Sequence, residues 1–438
     1  MIFAKIYKRR RSPLLLLLLA ALLSGCGKQK SDSTNPAEPD KQSQKASKLT
    51  VLVVDDPGIS SGIKLLRGEW AERSGGEIEI QESSSKELLA AESLSADLVV
   101  YPSRYVGTLV MRNVIRPIRK SVLESDDVAL DDIFPLVRNH ILRFGDDVYG
   151  LTLGEAPLML ATGKEEADQL WYWDEVLRPL ETKNSPLPYP LAVEFLLRGS
   201  AYARQGDQPV RWFNVQTMQP QLEGEPFAKA LKQMANRDND ETNGQLKLGW
   251  PQAATDSDDV DPPIFLPLPH TRRTYNGLLS KWEQAEKQKE VAYLGFAGQL
   301  ASVSRSTRNS SSAFKLLRWL TSAEISSQLS PRSAATMWFR QSQQAKASRW
   351  LSAAENSDEV AQFVGQLLTS ADAQLLPRIP GIYEYLKALD AEIQQAIASK
   401  DPSEQVTSRL VAAWNKITDR YGRDQQRAAY RRHLGLDE

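Results

Sequence analysis

Between positions 49 and 118, stretches with the apolar pattern of a β-strand alternate with stretches that have the apolar spacing of a helix. Residues 98–100 (LVV) are a short continuous apolar run, which predicts a strand buried on both faces of a sheet. Residues 49–54 (LTVLVV) predict a strand as well. Ile78 and Ile80 alternate with polar residues and predict another strand. Between the strand at 49–54 and the strand that contains Ile78 and Ile80, residues 63–71 place apolar side chains at helical spacing. Strands that alternate with helices in this order predict an α/β fold with a parallel sheet and right-handed crossovers.

Polar residues follow the apolar run at positions 98–100. Pro102 cannot donate to a central ladder, so we expect the strand to end there, with Tyr101, Ser103 and Arg104 at its carboxyl end. Open parallel sheets bind their ligands outside the carboxyl ends of the strands. The three residues are therefore candidate ligand contacts. The alternative is that they only form the turn into the next helix.

The first 25 residues have the pattern of an export signal. Five basic residues precede an apolar segment at positions 14–23, which is too short for a settled membrane span. Residues 23–26 (LSGC) resemble a bacterial lipobox, which implies cleavage before Cys26 and lipid attachment to its sulfur. Cys26 is the only cysteine of the chain, and the alternative is an ordinary signal with an incidental cysteine. Residues 26–47 are polar and predict a solvated tether.

The net charge and the length of the chain bear on its partners and on the number of its domains. Removing residues 1–25 takes away five of the 54 basic residues and none of the 55 acidic ones, which leaves a formal charge of −6. No basic excess favours nucleic acid as a partner. The remaining chain is longer than one hydrophobic core usually serves, so two domains are expected. With a lipid on Cys26, the protein would be anchored to a membrane rather than span it.

Motifs along the rest of the chain carry a family resemblance. The chain has VYGLTLGE, WDEV, GQLKLGWP, a helix pattern ending in WLTSAE, and RIPGIY, at positions 148–155, 173–176, 244–251, 309–324 and 378–383. Together with the stretch at 96–118, they resemble in chain order the family 1 extracellular solute-binding proteins, the maltose-binding-like receptors of ABC importers. This resemblance spans nearly all of residues 48–423.

The resemblance implies a two-lobed, periplasmic-binding-protein-like fold of type II. Each lobe would be a mainly parallel sheet flanked by helices, and crossing strands would join the two discontinuous lobes. We expect residues 48–152 with 293–330 to form the first lobe, and residues 153–292 with 331–438 to form the second. The implied function is that of an extracytoplasmic receptor that captures a small solute, above all a carbohydrate, between closing lobes. It implies a permease partner, a monomer, no enzymatic activity and neither cofactor nor metal.

Sugar recognition needs flat apolar faces and planar polar groups in a preformed cleft. Positions at strand ends and in the matching motifs give the candidate ligand contacts Asp55, Asp56, Tyr101, Ser103, Arg104, Glu155, Trp250, Phe296, Gly298 and Tyr383. Other interpretations stay open for several of them. Asp56 could cap the next helix, Trp250 could pack in a core, and Arg378, beside Tyr383 in its motif, could form a structural pair.

Some features leave the ligand open or point elsewhere. Residues 162–164 depart from the family pattern and residues 271–282 match none of it, so the sugar and even the sugar class stay undetermined. A receptor for a metal, an anion or another solute is one alternative, and a scaffold or sensor with the same fold is another. A third is an exported hydrolase, because residues 58–62 read G-x-S-x-G around Ser60. That fold needs an earlier strand for its oxyanion hole, and only the polar tether precedes residue 49.

Overall fold

The computed structural model describes residues 47–182, 187–204, 209–236, 246–251, 262–285, 291–352, 354–370, 373–399 and 404–436. The predicted signal segment, Cys26 and nearly all of the predicted tether lie outside the described residues. Among the helices that are described, none combines the length and the apolar character needed to cross a bilayer.

The strands of the described residues are β1 (Lys48–Val54), β2 (Glu77–Ser83), β3 (Leu98–Pro102), β4 (Arg143–Phe144), β5 (Asp147–Val148), β6 (Leu151–Glu155), β7 (Met159–Thr162), β8 (Glu181–Thr182), β9 (Lys247–Gly249), β10 (Ile264–Leu266), β11 (Arg273–Asn276), β12 (Lys281–Gln284), β13 (Ala292–Leu294), β14 (Gly298–Val303) and β15 (Ala373–Leu375). The α-helices are α1 (Pro57–Ser74), α2 (Ser85–Ala90), α3 (Val106–Met111), α4 (Lys120–Leu123), α5 (Pro190–Ala203), α6 (Glu225–Met234), α7 (Ser310–Thr321), α8 (Ala323–Leu329), α9 (Gln341–Gln344), α10 (Ser357–Thr369), α11 (Ile382–Ser399), α12 (Glu404–Tyr421) and α13 (Arg423–His433).

The first sheet has the order β2-β1-β3-β14-β6 within the described residues. Strands β2, β1 and β3 are parallel, as their alternation with α1 and α2 predicts. Strand β14 returns from far along the chain and lies antiparallel between β3 and β6. All residues of β3, β6 and β14 are buried, because helices cover both faces of this part of the sheet. The α/β class is confirmed.

The second sheet differs from the expectation of a mainly parallel arrangement. Its order is β10-β7-β9-β8, and of its pairings only β8–β9 is parallel. The strands are two to four residues long, and long excursions through α5 and α6 separate β8 from β9 along the chain. The right-handed crossover rule, which governs the parallel strands β1 to β3, does not apply to antiparallel neighbours joined by long connections. Residues 271–282, which no motif could place, contribute to the antiparallel pair β11–β12.

Local sequence explains where α1 begins and ends. Asp56 is the N-cap and its carboxylate accepts the Ile59 NH at 2.9 Å, while Pro57 occupies the first helical position. Gly75 ends the helix with φ 67°, a left-handed conformation that glycine adopts without strain. Ser60 therefore lies inside a helix and donates to Glu82 at 2.6 Å, so no nucleophile elbow forms at this G-x-S-x-G motif.

A close backbone contact joins α3 to the segment that precedes α11. A Cβ atom on Gly107 would lie 1.6 Å from the Arg378 carbonyl oxygen and 2.8 Å from the Phe144 ring. Backbone atoms cannot move aside as a flexible side chain can. Glycine at this position is therefore required for the two segments to pack.

We expect Gly107→Ala to lower the free energy of unfolding by about 3 kcal/mol, because the added methyl group overpacks this contact. Urea denaturation measures the effect. Gly68→Ala is the matched control: a Cβ there meets nothing within 4 Å on the exposed face of α1. It should stabilise the protein by about 0.5–1 kcal/mol through helix propensity. Equal and small effects of both substitutions would contradict the close contact.

Candidate ligand-binding site

Glu155 ends strand β6 and is fully buried. Its Oε1 accepts the Gly295 NH at 2.6 Å, and its Oε2 has no hydrogen-bond partner among the described residues. Gly298 faces it across the β6–β14 pairing, and a Cβ at that position would lie 2.0 Å from Glu155 Oε2. Gly298 also has φ 141°, which other residues rarely adopt. Glycine at position 298 thus leaves the space that the carboxyl group occupies.

Ser103 and Arg104 lie beside this carboxyl group in a 3-10 turn that follows β3. Both side chains are buried, and Arg104 Nη1 donates to the Phe296 carbonyl at 3.4 Å. Strand register explains the grouping: Gln299 pairs with Pro102 on one side of β14 and with Gly154 on the other. The carboxyl ends of β3 and β6 and the start of β14 therefore meet at one edge of the first sheet.

Burial raises the pKa of Glu155 to about 8. The Gly295 NH, the nearby Ser103 hydroxyl and the charges of Arg378 and Arg104 lower it only in part. Arg378 is itself fully buried, and its guanidinium donates to the carbonyls of Ile141 and Arg143 at 2.8 and 2.7 Å. The same burial lowers the pKa of Arg378 to about 10. Glu155 is therefore largely protonated at neutral pH, which makes it a hydrogen-bond donor as well as an acceptor.

Polar atoms without a hydrogen-bond partner concentrate near this edge of the sheet. Within the described residues they include Arg104 Nε, Tyr105 OH, Thr108 Oγ1 and Gln299 Oε1. A buried polar group left unpaired costs about 1–3 kcal/mol, so native proteins keep such groups few. Several of them in one place indicate a region built to hold something polar.

A cavity of about 850 Å³ adjoins this region. Helices α2 and α3 form one wall, and the segment from Pro380 through α11, with the α12–α13 junction, forms the other. Tyr105 OH, Thr108 Oγ1 and Gln426 Oε1 belong to residues that line it, and all three atoms lack a partner among the residues that the structure describes. Tyr383, a predicted ligand contact, is also on the wall. Ligand sites of small molecules typically have volumes of about 300–1,000 Å³.

The other predicted contacts are distributed unevenly. Ser103, Arg104, Glu155, Phe296 and Gly298 come together behind the Tyr105 wall of the cavity: the Arg104 guanidinium lies 4.8 Å from the centre of the Tyr105 ring. Phe296 is fully buried and packs edge-on against Trp212.

Three predicted contacts have hydrogen-bond partners within the protein, and their part in ligand binding stays a prediction. Asp55 is exposed with φ 52° and accepts the Ser85 NH at 3.0 Å. Asp56 caps α1 and also accepts the Ser333 hydroxyl at 2.5 Å. The Tyr101 hydroxyl is 2.9 Å from Ser302 Oγ on the neighbouring strand.

Trp250 lies at the end of β9 in the second sheet, is buried, and leaves its Nε1 without a partner among the described residues. It does not line the cavity between α3 and α11. Its part in ligand binding stays a prediction, as does the alternative of a packing role.

Sequence reasoning missed Tyr105, Thr108, Gln299 and Gln426. Tyr105 and Thr108 are three residues apart, so they share a face across the turn into α3, a signal that could have marked them. No local pattern marks Gln299, which sits in an apolar strand, or Gln426, which sits in a strongly polar helix.

Comparison with solved structures identifies the fold. No protein-family model matches the sequence, and no curated protein matches it. A solute-binding protein of an ABC transporter from Thermotoga lettingae, bound to α-D-tagatose, is 15% identical with a TM-score of 0.62, over 85% of this chain and 100% of that one.

Two further matches come from other bacteria. A solute-binding protein from Agrobacterium radiobacter with ribitol is 13% identical with a TM-score of 0.60, over 85% of this chain and 98% of that one. The maltotriose-binding protein of Thermus thermophilus, bound with maltotriose, is 16% identical with a TM-score of 0.60, over 84% of this chain and 99% of that one. Identities this low show the fold alone. The predicted two-lobed α/β fold of solute-binding proteins is confirmed.

We expect Glu155→Gln to flatten the pH dependence of stability between about pH 5 and 8. The folded-state pKa of Glu155 is raised to about 8, so the folded protein binds a proton that the unfolded chain has already released. The unaltered protein should lose up to about 1.4 kcal/mol of stability per pH unit through this window relative to the variant. Urea denaturation at several pH values measures the slopes.

Glu82→Gln is the control for this measurement. Lys64 and Ser60 lower the pKa of the exposed Glu82 carboxyl, so its contribution changes only below about pH 5. Its stability should run parallel to that of the unaltered protein from pH 5 to 8. A Glu155→Gln variant that also runs parallel would show that Glu155 is ionised in the folded state.

Proposed function

We propose that this protein is the extracytoplasmic solute-binding receptor of an ABC importer and that it captures a carbohydrate or polyol between its two lobes. One observation carries the proposal: buried polar atoms without partners surround and line an 850 Å³ cavity, in the fold of proteins that hold such solutes. The walls come from residues 86–112 and 380–426, which belong to the first and second predicted lobes. A solute in this place would contact both lobes and stabilise their closed arrangement.

The chemistry of the walls suits a hydroxylated solute. The hydroxyls of Tyr105 and Thr108 can donate and accept, and the Gln426 carbonyl oxygen accepts. Tyr383 and Tyr421 add aromatic rings, whose faces can pack against the C–H side of a sugar ring. A protonated Glu155 behind this wall adds polarity without adding a full charge. Neutral donors and acceptors beside rings are what a sugar or a polyol requires.

An acidic solute, such as a sugar acid, is the second candidate. Lys86, Arg112 and Lys387 line the cavity, and Glu384 is the acidic residue on the same wall. Arg112 is occupied by the backbone carbonyls of Leu89 and Ala91. Lys86 and Lys387 make no ion pair within the described residues, so their ammonium groups can meet a carboxylate. The excess of basic side chains favours this candidate over a cation.

Thermal melting against a panel of sugars, polyols, sugar acids, phosphate and metal ions tests the receptor. The chain from residue 27 onward contains the whole compact unit, residues 46–438. A bound solute should raise the melting temperature by several degrees at saturation. Tyr105→Phe and Thr108→Val should each weaken binding roughly 3- to 10-fold, because each removes one hydrogen bond to the solute and breaks none inside the protein.

Tyr385→Phe is the matched control for these variants. Its hydroxyl is 2.8 Å from Thr418 Oγ1 and lies away from the cavity wall, so removal should lower the melting temperature without changing solute affinity. Equal loss of affinity in all three variants would place the solute elsewhere. No shift with any compound would contradict the receptor and leave a scaffold or sensor of the same fold.

The anchor is a separate part of the proposal. We expect Cys26→Ser to move the protein from the detergent phase to the aqueous phase in a detergent phase-separation experiment, since the substitution removes the sulfur that would carry the lipid. Ser24→Ala keeps a small residue in the predicted lipobox and should stay in the detergent phase. A Cys26→Ser protein that remains with detergent would rule out a lipid on this residue.

A further inference from the structure

A second cavity, of about 450 Å³, lies at the amino-terminal edge of the first sheet, away from the candidate ligand site. The register that pairs Val303 with Leu98 and Leu98 with Val51 places Arg305, just after β14, at this edge. The cavity is lined by the basic residues Arg116, Arg119, Arg305, Lys315 and Arg318, and in the part of the chain that the structure describes no acidic residue lines it. This excess of positive charge stands out in a chain whose acidic residues outnumber the basic ones.

The basic side chains divide into a fixed and a free group. Arg116 is held by the carbonyls of Ser304 and Arg305, at 3.1 and 2.7 Å from its Nε and Nη2. Arg318 lies 3.7 Å from Asp127 at the rim. Arg119, Arg305 and Lys315 are exposed, and within the described residues their side chains make neither an ion pair nor a hydrogen bond.

Positive charges around one cavity repel each other, and an anion bound between them would offset this repulsion. A guanidinium presents several donors in a fixed fork that matches the oxygen atoms of a phosphate group, and an ammonium adds a point charge. Ser310 and Ser311, in the first turn of α7, also line the cavity and add hydroxyl donors. The wall is therefore complementary to a tetrahedral anion with several acceptor oxygens.

The chain enters the folded unit at the same edge of the sheet. Strand β1 begins at Lys48 and runs parallel to β3, so its start lies at the end where β14 finishes. If Cys26 carries a lipid, as proposed above, the connection to the membrane begins on this side of the first sheet. Negatively charged headgroups attract basic residues that lie near a membrane surface.

We propose that this basic cavity binds a phosphate group, and its position favours the headgroup of an anionic phospholipid as the source. The site would orient the receptor on the membrane, with the solute cavity at the opposite edge of the sheet. The choice of source rests on the proposed lipid anchor, whereas the phosphate chemistry of the cavity does not.

Sedimentation with vesicles tests the proposal. The chain from residue 26 onward with Cys26→Ser, which cannot be lipidated, is mixed with phosphatidylcholine vesicles with and without phosphatidylglycerol, at low and at physiological ionic strength. Binding should require phosphatidylglycerol and weaken with salt. The triple variant Arg119→Gln/Arg305→Gln/Lys315→Gln should bind roughly 100-fold more weakly, because each charge near an anionic surface contributes roughly a fivefold factor.

A second triple variant controls for net charge. Lys346, Arg349 and Lys416 are exposed and make no ion pair or side-chain hydrogen bond within the described residues, so their replacement by Gln removes the same charge elsewhere. This variant should bind vesicles as the unaltered protein does. Equal loss in both triple variants would overturn the proposal, since the attraction would then follow net charge alone.

Calorimetry with inorganic phosphate separates the two sources. Phosphate binding that is lost in the first triple variant, with no vesicle binding, would leave the cavity as a site for free phosphate. Binding of neither phosphate nor vesicles would overturn the site. The solute panel is also run on the variant Arg119→Gln/Arg305→Gln/Lys315→Gln. This variant should keep the melting shift with the solute, so a failure of the phosphate site can be told apart from a failure of the receptor proposal.

Discussion

The pairing of β14 with both β3 and β6 is the constraint on which the site depends. This strand returns to the first sheet long after β6 and lies antiparallel between its neighbours, and its register sets Gly298 against Glu155. The carboxyl group fits there only because position 298 has no Cβ. The same register brings Gln299 level with the end of β3, where the turn that holds Ser103 begins. A strand displaced by one residue would turn these polar groups to the other face of the sheet.

Burial then sets the chemistry of this edge. Glu155 accepts one hydrogen bond and lies near two guanidinium groups, but desolvation still raises its pKa to about 8. Arg378 does not neutralise it directly, because its guanidinium donates to backbone carbonyls and to His433. The region is therefore polar although its carboxyl group is mostly uncharged, which suits neutral hydroxyl groups.

The opposite edge of the sheet is positively charged, with exposed cations such as Arg119 and Arg305 around an open cavity. The two ends of one sheet thus differ in electrostatic character.

Structural demands explain why some polar residues at strand ends do not line the cavity between α3 and α11. A helix needs an acceptor for the NH groups of its first turn, and Asp56 supplies it for α1. A buried tyrosine hydroxyl needs a partner, and Tyr101 finds one in Ser302 on the adjacent strand. Once these groups are paired they have little left to offer a ligand. The unpaired groups, Tyr105 and Thr108, lie one turn further along the chain.

The sequence by itself determined the alternating strands and helices between residues 48 and 111 and the α/β class, because apolar periodicity and the N-cap and C-cap residues act locally. It also named Glu155 and Gly298 as ligand contacts, which stay predictions, and the structure sets these two residues opposite each other across β6 and β14. Only the tertiary structure decided the rest. The mainly antiparallel second sheet, the meeting of Tyr105 with Tyr383 across one cavity, and the burial that protonates Glu155 all depend on contacts between residues far apart in the chain. Local patterns carry no record of such contacts, since burial and strand register are set by the whole fold.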